Sequence, residues 1–285
     1  MTENFDPNDL KKLYIPASSS TKGENGKLMV IAGSVLFHAA SLWPLEVASR
    51  IVDMVFYSSV SMNNEIVQND KNSFRNGIVI PRPEIEKYIE EADCILIGPG
   101  LPRDKGRQKE DVSTKDLTER LLLKYPNKKW VVDGGSLQVI SPDILPRTAI
   151  ITPNKKEFET LKLQIKNEEL RIKLENSKLE EQVRVFAKEY NCVVLLKGEI
   201  DYVSNDSQSV QIKGGNQGMT KGGTGDVLAG LTASFYCKND AFLSATSASF
   251  INKKAGENLY QSMGLYYNAS DLALEIPKVM KEFIL

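Results

Sequence analysis

Short, almost wholly apolar segments alternate with longer amphipathic ones over most of the chain, and this alternation decides the fold class. Lys27-Leu28-Met29-Val30-Ile31-Ala32 reads as a strand ending in Gly33-Ser34. Further strands are expected over 54–60, at Ile78-Val79-Ile80, Cys94-Ile95-Leu96-Ile97, Trp130-Val131-Val132, Ala149-Ile150-Ile151, and over 192–196. Helical patterns fall between them at 39–50, 84–91 and 114–123. A strand without a polar side is buried on both faces, and intervening helices are the crossovers that parallel strands require. The reading is an α/β fold whose central, mostly parallel sheet is covered by helices on both faces.

The remaining segments fit around that core. Residues 1–26 read as a polar lead-in. Residues 162–189, dense in Lys and Glu around Leu163, Leu170, Leu174 and Val183, read as a solvated amphipathic helix or helix pair. Tyr202-Val203 and Val210-Gln211-Ile212 suggest a hairpin around Asn205-Asp206. Helices are expected over 226–236, 241–260 and 269–283. With no repeat and no linker, the expectation is one domain over 1–285.

Composition excludes several partners. Thirty-six basic residues against 37 acidic ones set up no long-range field for nucleic acid or an anionic membrane surface. No apolar run approaches the ~18 residues of a membrane span, and the polar, acidic start is no signal peptide. Cys94, Cys192 and Cys237 are odd in number and far apart, which suits buried thiols in a reducing cytoplasm better than disulfides or a zinc site.

Chemistry concentrates where strands end and in one glycine-rich stretch. Strands run out into Gly33-Ser34, Gly98-Pro99-Gly100, Asp133-Gly134-Gly135, Thr152-Pro153-Asn154 and Lys197-Gly198. In open α/β sheets the ligand crevice lies at the carboxyl ends of the strands, so these residues are expected to line one site. Between 214 and 226 stand six glycines, ending in Gly222-Gly223-Thr224-Gly225-Asp226 before an apolar helix. A glycine turn opening onto a helix aims unpaired N–H groups and the positive dipole end at one spot, which suits phosphate. Asp226 repels phosphate, but a base taking a proton from a hydroxyl under phosphorylation belongs there. It could also simply cap the helix. Asp133 leaves the same choice between a helix cap and a place in the site. His38 is the lone histidine, read as structural. Tyr57, Trp43 and Trp130 are read as core.

The order Gly98-Pro99-Gly100-Leu101, Thr152-Pro153-Asn154 with Glu157-Phe158, Leu196-Lys197-Gly198, then Gly218-Met219-Thr220-Lys221-Gly222-Gly223-Thr224-Gly225-Asp226 resembles the ribokinase-like superfamily. Within it, the chain resembles the ADP/ATP-dependent NAD(P)H-hydrate dehydratases, from Lys22-Gly23 to Ala269-Ser270-Asp271. The resemblance implies a three-layer αβα fold and a lyase reaction in a cytoplasmic enzyme. The ring hydroxyl of hydrated NADH or NADPH is phosphorylated from ADP or ATP, and phosphate is then eliminated. Asp226 would be the base, and Gly222, Gly223, Thr224 and Gly225 the anion hole. Lys197, Gly198, Glu199, Ile200 and Asp201, with Gly225, match the nucleotide segment. Ala40, Gly100 and Asn154, with Asp226, fall where the family binds the damaged cofactor. Mg2+ is implied as phosphate counter-ion without a dedicated cage, Asn154 and Glu157 being the candidates. Self-association into a homo-oligomer is also implied. The epimerase domain often fused ahead of such a domain has no room in a 26-residue lead-in.

Two segments depart from the family pattern. Phe37-His38-Ala39-Ala40 carries Ala39 in a glycine's place, and Arg50-Ile51-Val52-Asp53-Met54 has no glycine. Both lie on the acceptor side of the crevice. A ribokinase-like kinase of a sugar or vitamin precursor, and a non-catalytic nucleotide-binding protein, therefore stay open as alternatives.

Overall fold

In a computed structural model, residues 2–70, 76–103 and 112–285 are described. Ten strands form one sheet: β1 (Glu3–Asn4), β2 (Lys27–Ile31), β3 (Met54–Ser58), β4 (Ile78–Val79), β5 (Cys94–Ile97), β6 (Lys129–Val132), β7 (Ile150–Ile151), β8 (Val193–Leu196), β9 (Asp201–Ser204) and β10 (Ser209–Ile212). Their order is β1-β10-β9-β8-β7-β6-β5-β2-β3-β4. Only β9 runs antiparallel to its neighbours.

The apolar strands feed two cores, because successive side chains point to opposite faces. Leu28 and Val30 of β2 join one core while Met29 and Ile31 join the other; Cys94 and Leu96 of β5 likewise oppose Ile95 and Ile97. The first core is covered by α1 (Ala39–Ala48), α9 (Thr224–Lys238), α10 (Ala241–Met263) and α11 (Ala269–Ile284). The second lies under α3 (Ile85–Glu91), α4 (Thr114–Lys124), α6 (Lys155–Leu163), α7 (Glu168–Glu175) and α8 (Leu179–Tyr190). The expected α/β sandwich is present. All three cysteines are buried free thiols. No helix among the described residues is long and apolar enough to cross a membrane.

Two local expectations need correction. The lead-in is not merely polar solvent-facing chain: β1 pairs with β10 in parallel, and Leu10, in the short 3-10 helix that follows, is fully buried. Two buried leucines, Leu10 and Leu13, in an otherwise polar segment are too few to read as a periodic pattern. The second strand stops at Ser58, and α2 (Ser61–Asn69) follows where no helix was expected. Only Asn63 and Val67 of α2 are buried, so it lacks an apolar stripe. A four-residue helix, α5 (Gly134–Leu137), begins directly after Asp133.

Candidate active site

The carboxyl ends of β2, β5, β6, β7 and β8 converge on one crevice, and the start of α9 faces it. Lys197, just beyond β8, is drawn to the neighbouring strand ends: its N–H donates to the Pro153 carbonyl at 2.8 Å, and it forms a parallel bridge with Asn154. Its ammonium donates to Asp133 Oδ1 at 2.7 Å. Burial alone would lower the Lys197 ammonium, but Asp133, Glu157 and Asp226 around it more than offset that and hold it above its ordinary value.

Asp133 does not cap the helix that follows it. It stands at the N-cap position of α5, yet its side chain makes no capping bond. Its Oδ1 accepts from Thr152 Oγ1 and from Lys197 Nζ, both at 2.7 Å. The partners lie just beyond β7 and β8, far from Asp133 in the chain, so no local pattern joins them.

Asp226 lies in the first turn of α9. Burial pushes its carboxyl up to about 8, with Asp133 and Glu157 adding to the rise and Lys197 opposing it. Glu157 is also raised, by burial first and by Asp133, against the pull of Lys197. Three acids thus share one lysine.

The glycine turn completes the cluster. Gly223 is the N-cap of α9 with φ 97°, and a Cβ there would strike the Trp43 ring at 2.4 Å. The Trp43 indole packs against the first core, as expected, and is also a floor for the loop, its N–H donating to Ser270 Oγ at 3.1 Å. A Cβ on Gly225 would stand 3.3 Å from Lys197 Nζ, so loop and lysine are adjacent. Thr224 N–H, expected in the anion hole, instead donates to the Lys221 carbonyl at 3.4 Å; among the described residues the Gly225 and Asp226 amides donate to no backbone carbonyl, while Val227 N–H opens the helical ladder onto Gly223. These are orphan donors of a helix N-terminus. Thr224 turns its hydroxyl back to the Met219 carbonyl at 2.7 Å, bracing the turn. Asn216 ties the preceding segment to Gly256 at 2.8 Å and accepts from the Tyr267 hydroxyl at 2.7 Å.

Not every expected site side chain faces the crevice. Asp201 is buried: it accepts from Gly198 N–H at 2.8 Å and Ser249 Oγ at 2.7 Å, and pairs with Lys253 at 3.3 Å. Lys253 also donates to the carbonyls of Gly198 and Glu199, both at 3.0 Å. Asp201 and Lys253 therefore clamp the turn that carries Gly198 and Glu199. Asn154 and Glu157 form a capping box on α6, Asn154 Oδ1 accepting from Glu157 N–H and Glu157 Oε2 from Asn154 N–H. Across the crevice, Gly100 meets Ala40, whose Cβ is 2.5 Å from where a Gly100 Cβ would stand. His38 is exposed at the start of α1.

A family model described as NAD(P)H-hydrate dehydratase matches residues 28–278, strand ends and glycine turn included. The chain belongs to the NAD(P)H-hydrate dehydratase family. An ADP-dependent (S)-NAD(P)H-hydrate dehydratase of Nitrosopumilus maritimus is 35% identical over 96% of both chains. A bifunctional NAD(P)H-hydrate repair enzyme of Methanocaldococcus jannaschii is 34% identical over 96% of this chain, which spans 52% of that longer protein. The chain thus covers about half the length of its bifunctional relatives in this dehydratase family. The fold matches that of the Bacillus subtilis ADP/ATP-dependent NAD(P)H-hydrate dehydratase co-crystallized with ATP/Mg2+, at TM-score 0.79 and 20% identity over 99% of both chains.

Proposed function

We propose that this chain dehydrates hydrated NADH or NADPH at the expense of ADP or ATP, with Asp226 as base. The carrying observation is the convergence of Asp226, Lys197 and the unpaired amides of Gly225 and Asp226 on one spot, in a chain of this family. Asp226 takes the proton of the ring hydroxyl as that oxygen attacks the terminal phosphorus of the nucleotide. The P–O bond to the nucleotide breaks, and AMP or ADP leaves. Phosphate then departs from the ring, the adjacent ring carbon gives up its proton to solvent, and the double bond returns. The loop amides and the Lys197 ammonium face the charge that gathers on the phosphoryl oxygens, where preorganised donors act most strongly. Asp133 positions that ammonium, and the Lys253–Asp201 clamp holds the nucleotide segment.

Magnesium suits this donor set. Among the described residues no group of three or more His, Cys, Asp or Glu is arranged to hold a metal. Magnesium commonly binds one or two carboxylates together with substrate phosphates. Glu157 would be that carboxylate, and the ion would neutralise phosphate charge.

The test is to incubate the protein with hydrated NADH and either ADP or ATP, following the return of NADH absorbance. Following the N. maritimus relative, ADP is expected to support turnover. No NADH with either nucleotide overturns the reading; phosphorylated alcohol from a substrate panel would then mark a kinase.

A further inference from the structure

The glycine turn before α9 is held from outside the crevice. Among the described residues the amides of Gly222 and Gly223, like those of Gly225 and Asp226, donate to no backbone carbonyl. A Cβ on Gly222 would meet nothing within 4 Å, so no packing fixes the turn at that point. Glycine backbone is costly to order, and donors stabilise a developing charge only where they already stand in place. The turn must therefore be set by its flanks.

Lys221 is the flank before it. A lysine in a turn that suits phosphate would be expected to offer its charge to the anion, as P-loop lysines do. Lys221 turns the other way. Its ammonium donates to the Leu265 carbonyl and, at 2.7 Å, to the Tyr267 carbonyl, and it stands 5.3 Å from the centre of the Tyr267 ring. Two of its three donors are thus committed to the connection between α10 and α11. Tyr267 is buried and meets the glycine segment twice more. Its hydroxyl donates to Asn216 Oδ1 at 2.7 Å, the oxygen that also accepts from Gly218 N–H at 2.9 Å. Its ring closes the space at Gly218, where a Cβ would stand 2.5 Å from Cε1. A little further along, Ser270 accepts from the Trp43 indole, the floor under Gly223. One short stretch, 265–270, therefore grips the loop at Asn216, Gly218 and Lys221, and also holds the support beneath its far end.

We propose that this stretch is the outer frame of the anion loop, with Lys221 and Tyr267 as positioning residues that hold the turn amides toward the phosphoryl group. Lys221 is then a tether and not a phosphate ligand. What the loop binds rests on the dehydratase reading, whereas the tether is a property of the protein without any ligand.

The experiment compares Lys221→Met, Lys221→Arg and Tyr267→Phe with the wild type. Thermal melting checks that each variant is folded. Amide hydrogen exchange over 214–226 is measured without ligand, and kcat and KM are then measured with hydrated NADH and ADP. Lys221→Met and Tyr267→Phe should speed exchange of that segment several-fold. They should also lower kcat by about tenfold, below the ~10²–10³ lost when such a donor is removed outright. KM for ADP should move less than kcat. Lys221→Arg keeps a charge able to bond both carbonyls and should bring both readouts back toward wild type. Unchanged exchange in the folded Met and Phe variants overturns the frame; if KM for ADP nevertheless rises in Lys221→Met, that residue is a phosphate ligand. Faster exchange with kcat untouched overturns the positioning role while leaving the dehydratase reading intact. If the wild type returns no NADH with either nucleotide, the dehydratase reading falls, and the exchange contrast decides the frame by itself.

Discussion

Asp226 is placed where its proton affinity and its chemistry are coupled. With its carboxyl pushed up to about 8 by burial and by Asp133 and Glu157, the free protein holds it protonated at neutral pH. A base must be ionised to act, so kcat/KM for the hydrate should climb with pH and level off above about 8. Asp226→Asn should cut turnover by ~10²–10⁴ while leaving nucleotide affinity nearly intact; full activity in this variant would place the base elsewhere. The same group bears on stability. Unfolded, its pKa returns toward the ordinary 3.8, so between about 4 and about 8 the folded state binds the extra proton, and stability falls as pH rises across that window. Asp226→Asn removes that dependence. Its melting temperature should therefore gain on the wild type steadily from pH 4 to pH 8, and an unchanging difference would contradict the assignment. The sequence pointed to Asp226 because a carboxylate beside a phosphate turn is chemically odd. It could not point to Asp133 as the anchor of Lys197, because that bond joins residues 64 positions apart.

Among the elements, α1 and α9 act as a pair. Gly230 in the middle of α9 lies so near α1 that an added Cβ would stand 2.6 Å from the Cα of Pro44. One turn of α1 thus presses on α9, and Trp43 beside it supports Gly223. Gly230→Ala should destabilise the fold by about 1–3 kcal/mol, as overpacking does, read by denaturant midpoint, and lower turnover by lifting Trp43 from the glycine loop. Equal stability would mean the helices separate freely. Strands were legible because both their faces are apolar, α8 and α10 because they pack one side on the sheet, and α11 because it packs one side on α10, α1 and α9. By contrast α2 was not, since a helix that buries only Asn63 and Val67 has nothing periodic to display. The turn at Gly198 to Ile200 was legible by motif, but not the buried Lys253 beneath it. A lysine in a helix ordinarily reads as surface.

On the scale of the whole molecule, the crevice follows from topology. Every parallel strand from β2 to β8 delivers its carboxyl end to the same rim, so the proposed donor, reacting and acceptor sites would succeed one another across the sheet. The first dozen residues also belong to this body. Leu10→Ala should cost about 2–5 kcal/mol, as for other buried leucines, measured by chemical denaturation; a loss under ~0.5 kcal/mol would return the segment to a passive lead-in. The short β1 strand has a second consequence. Its two residues, with Phe5 N–H donating to the Gln211 carbonyl at 3.1 Å, occupy hydrogen-bonding groups of β10 that would otherwise face solvent. An uncovered strand edge is a template for another chain. A protein trimmed of residues 2–13 should therefore grow sticky at β10, with light scattering that rises with concentration, so this small strand guards against aggregation.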